Sequence, residues 1–366
     1  MTLAFQTNSE TLFIISEILE SQMNRKRILV TGGTGYIGSH VAVELVESGY
    51  EPVIVDNLSN SSPGIIDRIE TITGFRPEFR QVDCCDYDSL RSVFEDFPGF
   101  AGVIHFAAFK AVGESCEKPL KYYRNNILSL VNLLELMEVY SVKGLVFSSS
   151  CTVYGQPASV PVTESSPIVP ANSPYGNTKQ ICEEIIHDTI ASGSPIRSIL
   201  LRYFNPIGAH PSGLLGEFPN GVPQNLVPFI TQTAMGIRDE LSVFGGDYNT
   251  EDGSCIRDYI DVVDLAKAHV AAVSRSLEEG NDPLEVFNLG TGKGVSVLEM
   301  IRCFEKANGL RLNYKIVGRR AGDVEKVFSD SSKAKEVLGW TADTPLEETL
   351  ANAWRWQQRL RLEGIQ

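Results

Sequence analysis

Thr31-Gly32-Gly33-Thr34-Gly35-Tyr36-Ile37-Gly38 follows directly on an apolar, β-branched run, Arg27–Thr31. Gly32, Gly35 and Gly38 fit a G-x-x-G-x-x-G turn from strand into helix, and the apolar residues Val41 to Val46 continue as that helix. Glycine there lets the backbone approach a pyrophosphate closely, and the helix N-terminus meets its negative charge. A glycine-rich turn alone is weak evidence. It gains weight from Asp56, which closes a second β-branched run eighteen residues beyond Gly38. A carboxylate at that place accepts hydrogen bonds from the ribose hydroxyls and repels a 2′-phosphate. No Arg or Lys stands at Asn57, Leu58, Ser59 or Asn60 to offset the repulsion, so NAD is expected rather than NADP. Asp83, ending the third run, is a candidate for the adenine amino group, with a helix N-cap as its alternative role.

The same rhythm extends outward. Strands are expected at Arg27–Thr31, Pro52–Asp56, Glu78–Asp83, Gly102–Ala107, Leu145–Ser149 and Ser198–Tyr203, with helical periodicity over Asn126–Tyr140 and Thr178–Ile190 between them. Near-continuous apolar runs suit a parallel sheet covered on both faces. The fold class is therefore α/β, a doubly wound Rossmann-type parallel sheet with a smaller mixed α/β C-terminal lobe. Asn205–Asn225 is rich in Gly, Pro and Asn, and a loop that long is more often functional than idle. A helix over Val262–Val273 and a strand near Val286–Leu289 return to the sheet. The expected division is residues 1–24 as an N-terminal extension, 25–204 and 258–290 as the dinucleotide domain, and 205–257 with 291–366 as the substrate lobe.

The chain has 366 residues with 46 acidic and 32 basic side chains, a net charge of −14. That balance argues against a general nucleic-acid or membrane-surface binder, and no apolar run approaches the roughly 20 residues that span a bilayer. Seven cysteines (Cys84, Cys85, Cys116, Cys151, Cys182, Cys255 and Cys303) form an odd set without a C-x-x-C pair. They read as reduced side chains rather than a disulfide framework or a metal site. Residues 1–23 carry an apolar patch at Leu12-Phe13-Ile14-Ile15 together with Glu10, Glu17 and Glu20 and no early basic region, a poor signal peptide. The expectation is an appended segment, or sequence upstream of a second start at Met23, on a cytoplasmic protein.

Tyr175-Gly176-Asn177-Thr178-Lys179 places Tyr and Lys one helical turn apart on a common face. A free phenol, with a pKa near 10, is a poor base at neutral pH. A neighbouring ammonium and a cationic nicotinamide both favour phenolate. Ser148-Ser149-Ser150 ends a buried strand, where hydroxyls face the crevice that binds ligands in such sheets. Ser150, Tyr175 and Lys179 beside a nicotinamide make a proton relay for moving hydride to or from an alcohol carbon.

With the glycine turn and Ser…Tyr-x-x-x-Lys together, the chain resembles the extended short-chain dehydrogenase/reductase family, and within it the UDP-sugar 4-epimerases. The matching stretches run from residue 25 to about 360: Thr31–His40, His105–Ser115, Phe147–Gly155, Ser173–Lys179, Leu201–Gly213, Thr250–Tyr259 and Arg319–Asp323. The resemblance implies UDP-glucose and UDP-galactose as substrates, interconverted through transient oxidation at C4 by a tightly held NAD. It implies Tyr175 as the base at the sugar 4-hydroxyl, with Ser150 bonded to the same oxygen and Lys179 on the nicotinamide ribose. It further implies cofactor contacts from Tyr36, Ile37, Asn57, Asn60, Ser61, Cys84, Phe106, Ala107, Lys110, Asn125 and Phe204. Arg257 and Arg320 would hold the substrate pyrophosphate, Asn205, Asn225 and Leu226 the sugar and phosphate, Ser242 and Phe244 the uracil, and Asp323 a ribose hydroxyl.

Departures bear on substrate range. Cys151 follows Ser150 where many relatives have Ala, and Val327 resembles a gate whose size sets the room at the sugar 2-substituent. Val leaves space for an N-acetyl group, so UDP-GlcNAc and UDP-GalNAc are expected to be accepted. The alternatives are a sister epimerase preferring UDP-N-acetylhexosamines or UDP-pentoses, and a non-catalytic nucleotide-sugar or NAD-binding protein. A dehydratase needs carboxyls after the strand-end hydroxyl, and Cys151-Thr152-Val153 has none. By the same resemblance a homodimer is expected, packed through the helices around 116–140 and 178–193.

Overall fold

The computed structural model describes residues 25–219, 221–320 and 324–365. In chain order the strands are β1 Arg27–Thr31, β2 Glu51–Asp56, β3 Glu78–Gln81, β4 Gly102–His105, β5 Gly144–Ser150, β6 Arg197–Tyr203, β7 Asn205–Ile207, β8 Leu241–Phe244, β9 Ile256–Asp261, β10 Leu284–Leu289, β11 Gly294–Ser296, β12 Tyr314–Val317 and β13 Lys326–Val327. The helices are α1 Tyr36–Glu47, α2 Gly64–Thr73, α3 Tyr87–Asp96, α4 Val112–Glu117, α5 Pro119–Val139, α6 Pro174–Ala191, α7 Leu226–Ala234, α8 Val262–Ser276, α9 Val297–Asn308, α10 Ser332–Leu338 and α11 Leu346–Leu362.

Seven strands pair in parallel in the order β10-β6-β5-β4-β1-β2-β3. Alternation along β1 shows why its run is apolar throughout. Ile28 and Val30 point into the core shared with α1, α2 and α8, and Leu29 into the core shared with α3, α5 and α6. Each such fully buried side chain stabilises the fold by roughly 1.5–3 kcal/mol relative to exposure. The strand order reverses between β1 and β4, which opens a crevice at their carboxyl ends.

β3 stops at Gln81 and β4 at His105, each two residues short of the sequence expectation. Beyond β3 the Asp83 carboxylate accepts from the Cys85 N–H at 2.9 Å and bends the chain away from the ladder. Pro119 lets α5 begin seven residues before the periodic run, since its missing N–H costs nothing in a first turn.

From β6 the chain passes through Phe204 straight into β7, inside the stretch expected to be a loop. β7 and β13 run parallel to β9 and β11 antiparallel to it, making a small second sheet. The return to the main sheet after residue 258 is thus made by α8 and β10, while β9 pairs outside it. β8 and β12 form a parallel pair, and α7, α9 and α11 enclose a separate apolar core with Ile230, Met300, Ile301, Phe304 and Leu350. Among the described residues no helix is long and apolar enough to cross a membrane.

Candidate active site

The glycine turn takes the shape its residues dictate. Gly32 has φ +70°, and a Cβ there would lie 2.8 Å from the Ala107 nitrogen. A Cβ on Gly38 would lie 2.8 Å from the Gly33 Cα and collide with the Gly32 carbonyl oxygen. Gly35 caps α1 without a side chain, and the first turn carries no acid. Its N–H groups therefore face the crevice without a competing carboxylate from the helix itself.

Asp56 sits beside this turn at the end of β2, buried. It accepts from Thr34 N–H at 3.2 Å, Leu58 N–H at 2.9 Å and the Ser61 hydroxyl at 3.2 Å. These bonds aim the carboxylate and leave acceptor positions over. Asn57 donates to Asp83 at 3.4 Å, which joins the strand ends of β2 and β3. Asp83 is not a helix N-cap; Asp86 takes that role for α3, accepting from Ser89 N–H. A glycine cradle that excludes Cβ atoms, next to an aimed carboxylate, fits the diphosphate and adenosine ribose of a dinucleotide.

Phe106 and Ala107 follow β4, their N–H groups donating to the Thr31 carbonyl at 3.0 Å and the Thr31 hydroxyl at 3.4 Å. Ile37 packs on the core beneath α1, and Cys84 is buried behind β3. Asn60 is exposed. The Asn125 side-chain amide donates to the Asn126 Oδ1 at 3.0 Å.

The three serines ending β5 have three different partners. Ser148 bonds the Tyr203 hydroxyl, Ser149 donates to Glu183 at 2.5 Å, and Ser150 accepts from Thr152 N–H at 3.2 Å. Of the three, Ser150 is the one whose hydroxyl acts on the Tyr175 phenol. Its influence favours phenolate, but burial outweighs it and the Tyr175 pKa is pushed up to about 12. Lys179 does not counter this. Its ammonium lies over the Phe147 ring and donates to the Ser148 carbonyl at 2.6 Å. Burial brings its own pKa down to about 8, with Cys182 and Glu183 pulling the other way. In the polypeptide itself desolvation wins over the lowering of Tyr175 expected from Lys179. His105 at the end of β4 is lowered to about 3 by burial and by Lys179.

The second sheet brings Val327 and Asn205 alongside Arg257 and Tyr259 on β9. Val327 is the Cα partner of Arg257 across β13 and β9, and Asn205 that of Tyr259 across β7 and β9. Arg257 donates to the carbonyls of Ile256 at 2.8 Å and Val324 at 2.6 Å. Its charge is felt at Cys151, whose thiol burial nonetheless raises to about 12. Val327 and Cys151 pack with Phe204, Val153 and Tyr154 beside Ser150. Arg320 lies 5.6 Å over the ring of Phe244, two residues far apart in sequence joined as one wall, with Ser242 on the same strand. Leu226 opens α7, and Asn225 caps it without a side-chain bond to the helix. Asp323 lies outside the described residues.

Sequence reasoning missed Glu217 and Glu183. Glu217 accepts from Lys110 at 3.3 Å and from Asn225 at 2.6 Å, linking a predicted cofactor residue with a predicted substrate residue. It sits in an aperiodic loop and gave no signal. Glu183 continues the Tyr175, Lys179 face at the same four-residue interval, and was legible there.

A family profile described as GDP-mannose 4,6 dehydratase matches residues 29–353. Among curated relatives, the chain is 54% identical over 331 residues to "UDP-glucose 4-epimerase" of Dictyostelium discoideum, covering 90% of this chain and 95% of that one. It is 48% identical over 340 residues to that of Homo sapiens, covering 91% and 97%.

The chain belongs to the UDP-glucose 4-epimerase family.

Solved structures of the UDP-glucose 4-epimerase family superimpose on it closely. One from Bifidobacterium longum, in complex with NAD+ and UDP, has a TM-score of 0.87 at 45% identity, covering 91% of this chain and 98% of that one. One from Stenotrophomonas maltophila, with bound NAD and formylated UDP-arabinopyranose, has a TM-score of 0.90 at 44% identity, covering 93% and 100%. The profile's dehydratase description covers the wider extended short-chain dehydrogenase/reductase fold. The run after Ser150 lacks the carboxyl pair that water elimination needs, as expected from the sequence.

Proposed function

We infer that this protein is an NAD-dependent isomerase that interconverts UDP-glucose and UDP-galactose through a transient 4-keto sugar. The observation that carries the reading is the Ser150, Tyr175 and Lys179 set, brought together where β5 and α6 meet at the crevice formed by the strand reversal, in a chain of this family. Tyr175 takes the proton of the sugar 4-hydroxyl, and Ser150 bonds that oxygen so that its developing charge is shared. Lys179 keeps an ammonium within the buried site. Bound NAD supplies the group that accepts hydride from C4 and returns it. Asp56 and the Gly32–Gly38 turn hold its adenosine and diphosphate, with Lys110, Asn125, Phe106, Ala107 and Phe204 along its length. Arg257 and Arg320 grip the UDP diphosphate, and Phe244 and Ser242 the uracil. The sugar itself meets the small side chain of Val327, with Asn205, Asn225 and Leu226 at the sugar and phosphate. A firm hold on UDP and a loose one on the sugar is what turning the ketose over requires.

Purified protein given UDP-galactose, without added NAD, is expected to yield UDP-glucose with no build-up of reduced nicotinamide absorbance. Stoichiometric reduced nicotinamide would make it a net dehydrogenase, and no product even with NAD supplied would sink the reading.

Val327 supports a wider range that includes UDP-GlcNAc and UDP-GalNAc. Absence of UDP-GlcNAc turnover at high enzyme concentration would remove those sugars. A homodimer, a cytoplasmic setting and the two-lobe division given by the sequence belong to the same proposal.

A further inference from the structure

Behind the Ser150–Tyr175 pair lies a buried ionic assembly that the chemistry above does not use. Glu183 on α6 stands one turn beyond Lys179 and two beyond Tyr175. Its Oε1 accepts from the Ser149 hydroxyl at 2.5 Å and from Arg202 Nε at 3.0 Å, and its Oε2 from Arg202 Nη2 at 2.5 Å. Arg202 on β6 also donates to the Tyr154 hydroxyl at 3.1 Å, and Tyr154 donates to Asn288 on β10 at 2.7 Å. Glu183 and Arg202 are 6% and 5% exposed. Removing two charges from water costs several kcal/mol per ion, and a buried pair is often no more stable than apolar side chains of the same size. Stability therefore does not account for its place here.

Its geometry points elsewhere. Side chains alternate along β5, so fixing Ser149 toward Glu183 turns Ser148 and Ser150 to the opposite side. The carboxylate also ties α6, which carries both Tyr175 and Lys179, to β5 and β6. We propose that Glu183 is a positioning residue for the reaction: through Ser149 and Arg202 it fixes α6 against the end of β5, holding Tyr175 and Lys179 in place beside Ser150. This rests on the epimerase reading above.

Among the groups that face Lys179, Glu183 carries the negative charge. On α6 Lys179 is faced by Glu183, Cys182 and, one turn back, Tyr175; on β4 by His105; and β5 offers the Ser148 carbonyl. Glu183 is the carboxylate among these, and its removal leaves the cation Arg202 without its counterion nearby. Lys179 should then lose its proton at lower pH.

The test is Glu183→Gln in the full-length protein, with wild type assayed alongside. Wild type without epimerase activity would defeat the underlying reading rather than this proposal. With wild type active, the variant is expected to show kcat lower by about tenfold or more with KM within about twofold, the pattern of a lost transition-state contribution. Lysine labelled with carbon-13 at Cε, assigned with Lys179→Met, should show Lys179 titrating at lower pH in Glu183→Gln by about one unit. Glu183→Asp, which keeps the charge, should recover most of that shift. A folded Glu183→Gln with unchanged kcat and Lys179 titration would overturn the proposal. Should that variant fail to fold, Ser149→Ala leaves the ion pair in place. A kcat loss of about threefold at constant KM would then support the proposal, and wild-type activity would overturn it.

Discussion

At the scale of single residues, the phenol of Tyr175 is where chemistry and burial oppose one another. The Ser150 hydroxyl favours its phenolate, yet burial holds its pKa up to about 12. Replacing it with Phe removes one hydroxyl from the crevice and leaves the packing of α6 intact. Tyr175→Phe is therefore expected to lower kcat by about 10²–10⁴-fold, the range ascribed to a positioned acid–base group, with little change in thermal unfolding temperature. Activity within tenfold of wild type would move the base elsewhere. The residue identities at this scale were readable from the sequence, because Tyr-x-x-x-Lys fixes a spacing on a helix. What the spacing did not reveal was the direction in which Lys179 points. Its ammonium is committed to the Ser148 carbonyl, and that hydrogen bond exists only once β5 and α6 are packed.

Among the elements, the turn between β1 and α1 is the most constrained. At Gly38 even a methyl group meets backbone, the Gly32 carbonyl and the Gly33 Cα, which have no flexible end to move aside. Gly38→Ala is expected to open the turn, destabilise the fold by roughly 1–3 kcal/mol as overpacking does, and lower the NAD retained on purification. A variant that unfolds like wild type with full NAD content would show that α1 can shift without harm. The β1–turn–α1 unit was legible because each glycine answers a local demand. β7 and β13 were not. Each is two or three residues long, has no periodicity of its own, and becomes a strand only by pairing with β9.

Across the whole molecule, titration of buried groups sets acid stability. Burial lowers His40 and His269 to about 4, and burial with Lys179 lowers His105 to about 3. Burial raises Glu44 to about 7 and Asp261 to about 6. The histidines, depressed in the folded state, favour folding above their unfolded pKa, and that advantage is lost as pH falls. The two carboxyls, raised in the folded state, act in the opposite sense. Between about pH 4.5 and 6 the unfolded chain holds three extra protons on the histidines and the folded chain two on the acids. Unfolding thus takes up a net of about one proton, and stability should fall by ~1.4 kcal/mol per pH unit on acidification. Denaturant midpoints across that window would check it, and Glu44→Gln should steepen the slope to about two protons. A flat profile would contradict it.

The alternating α/β order, the glycine turn, Asp56 and the Ser–Tyr–Lys set were written in the chain, because strand and helix periods and turn chemistry are local properties of it. Tertiary structure alone decided that Val327 lies beside Arg257, that Arg320 covers Phe244, and that Glu183 rather than solvent receives Ser149. Those pairings join residues from 34 to 76 positions apart, and proximity at such separation is created by packing strands and helices against one another, which no local pattern encodes.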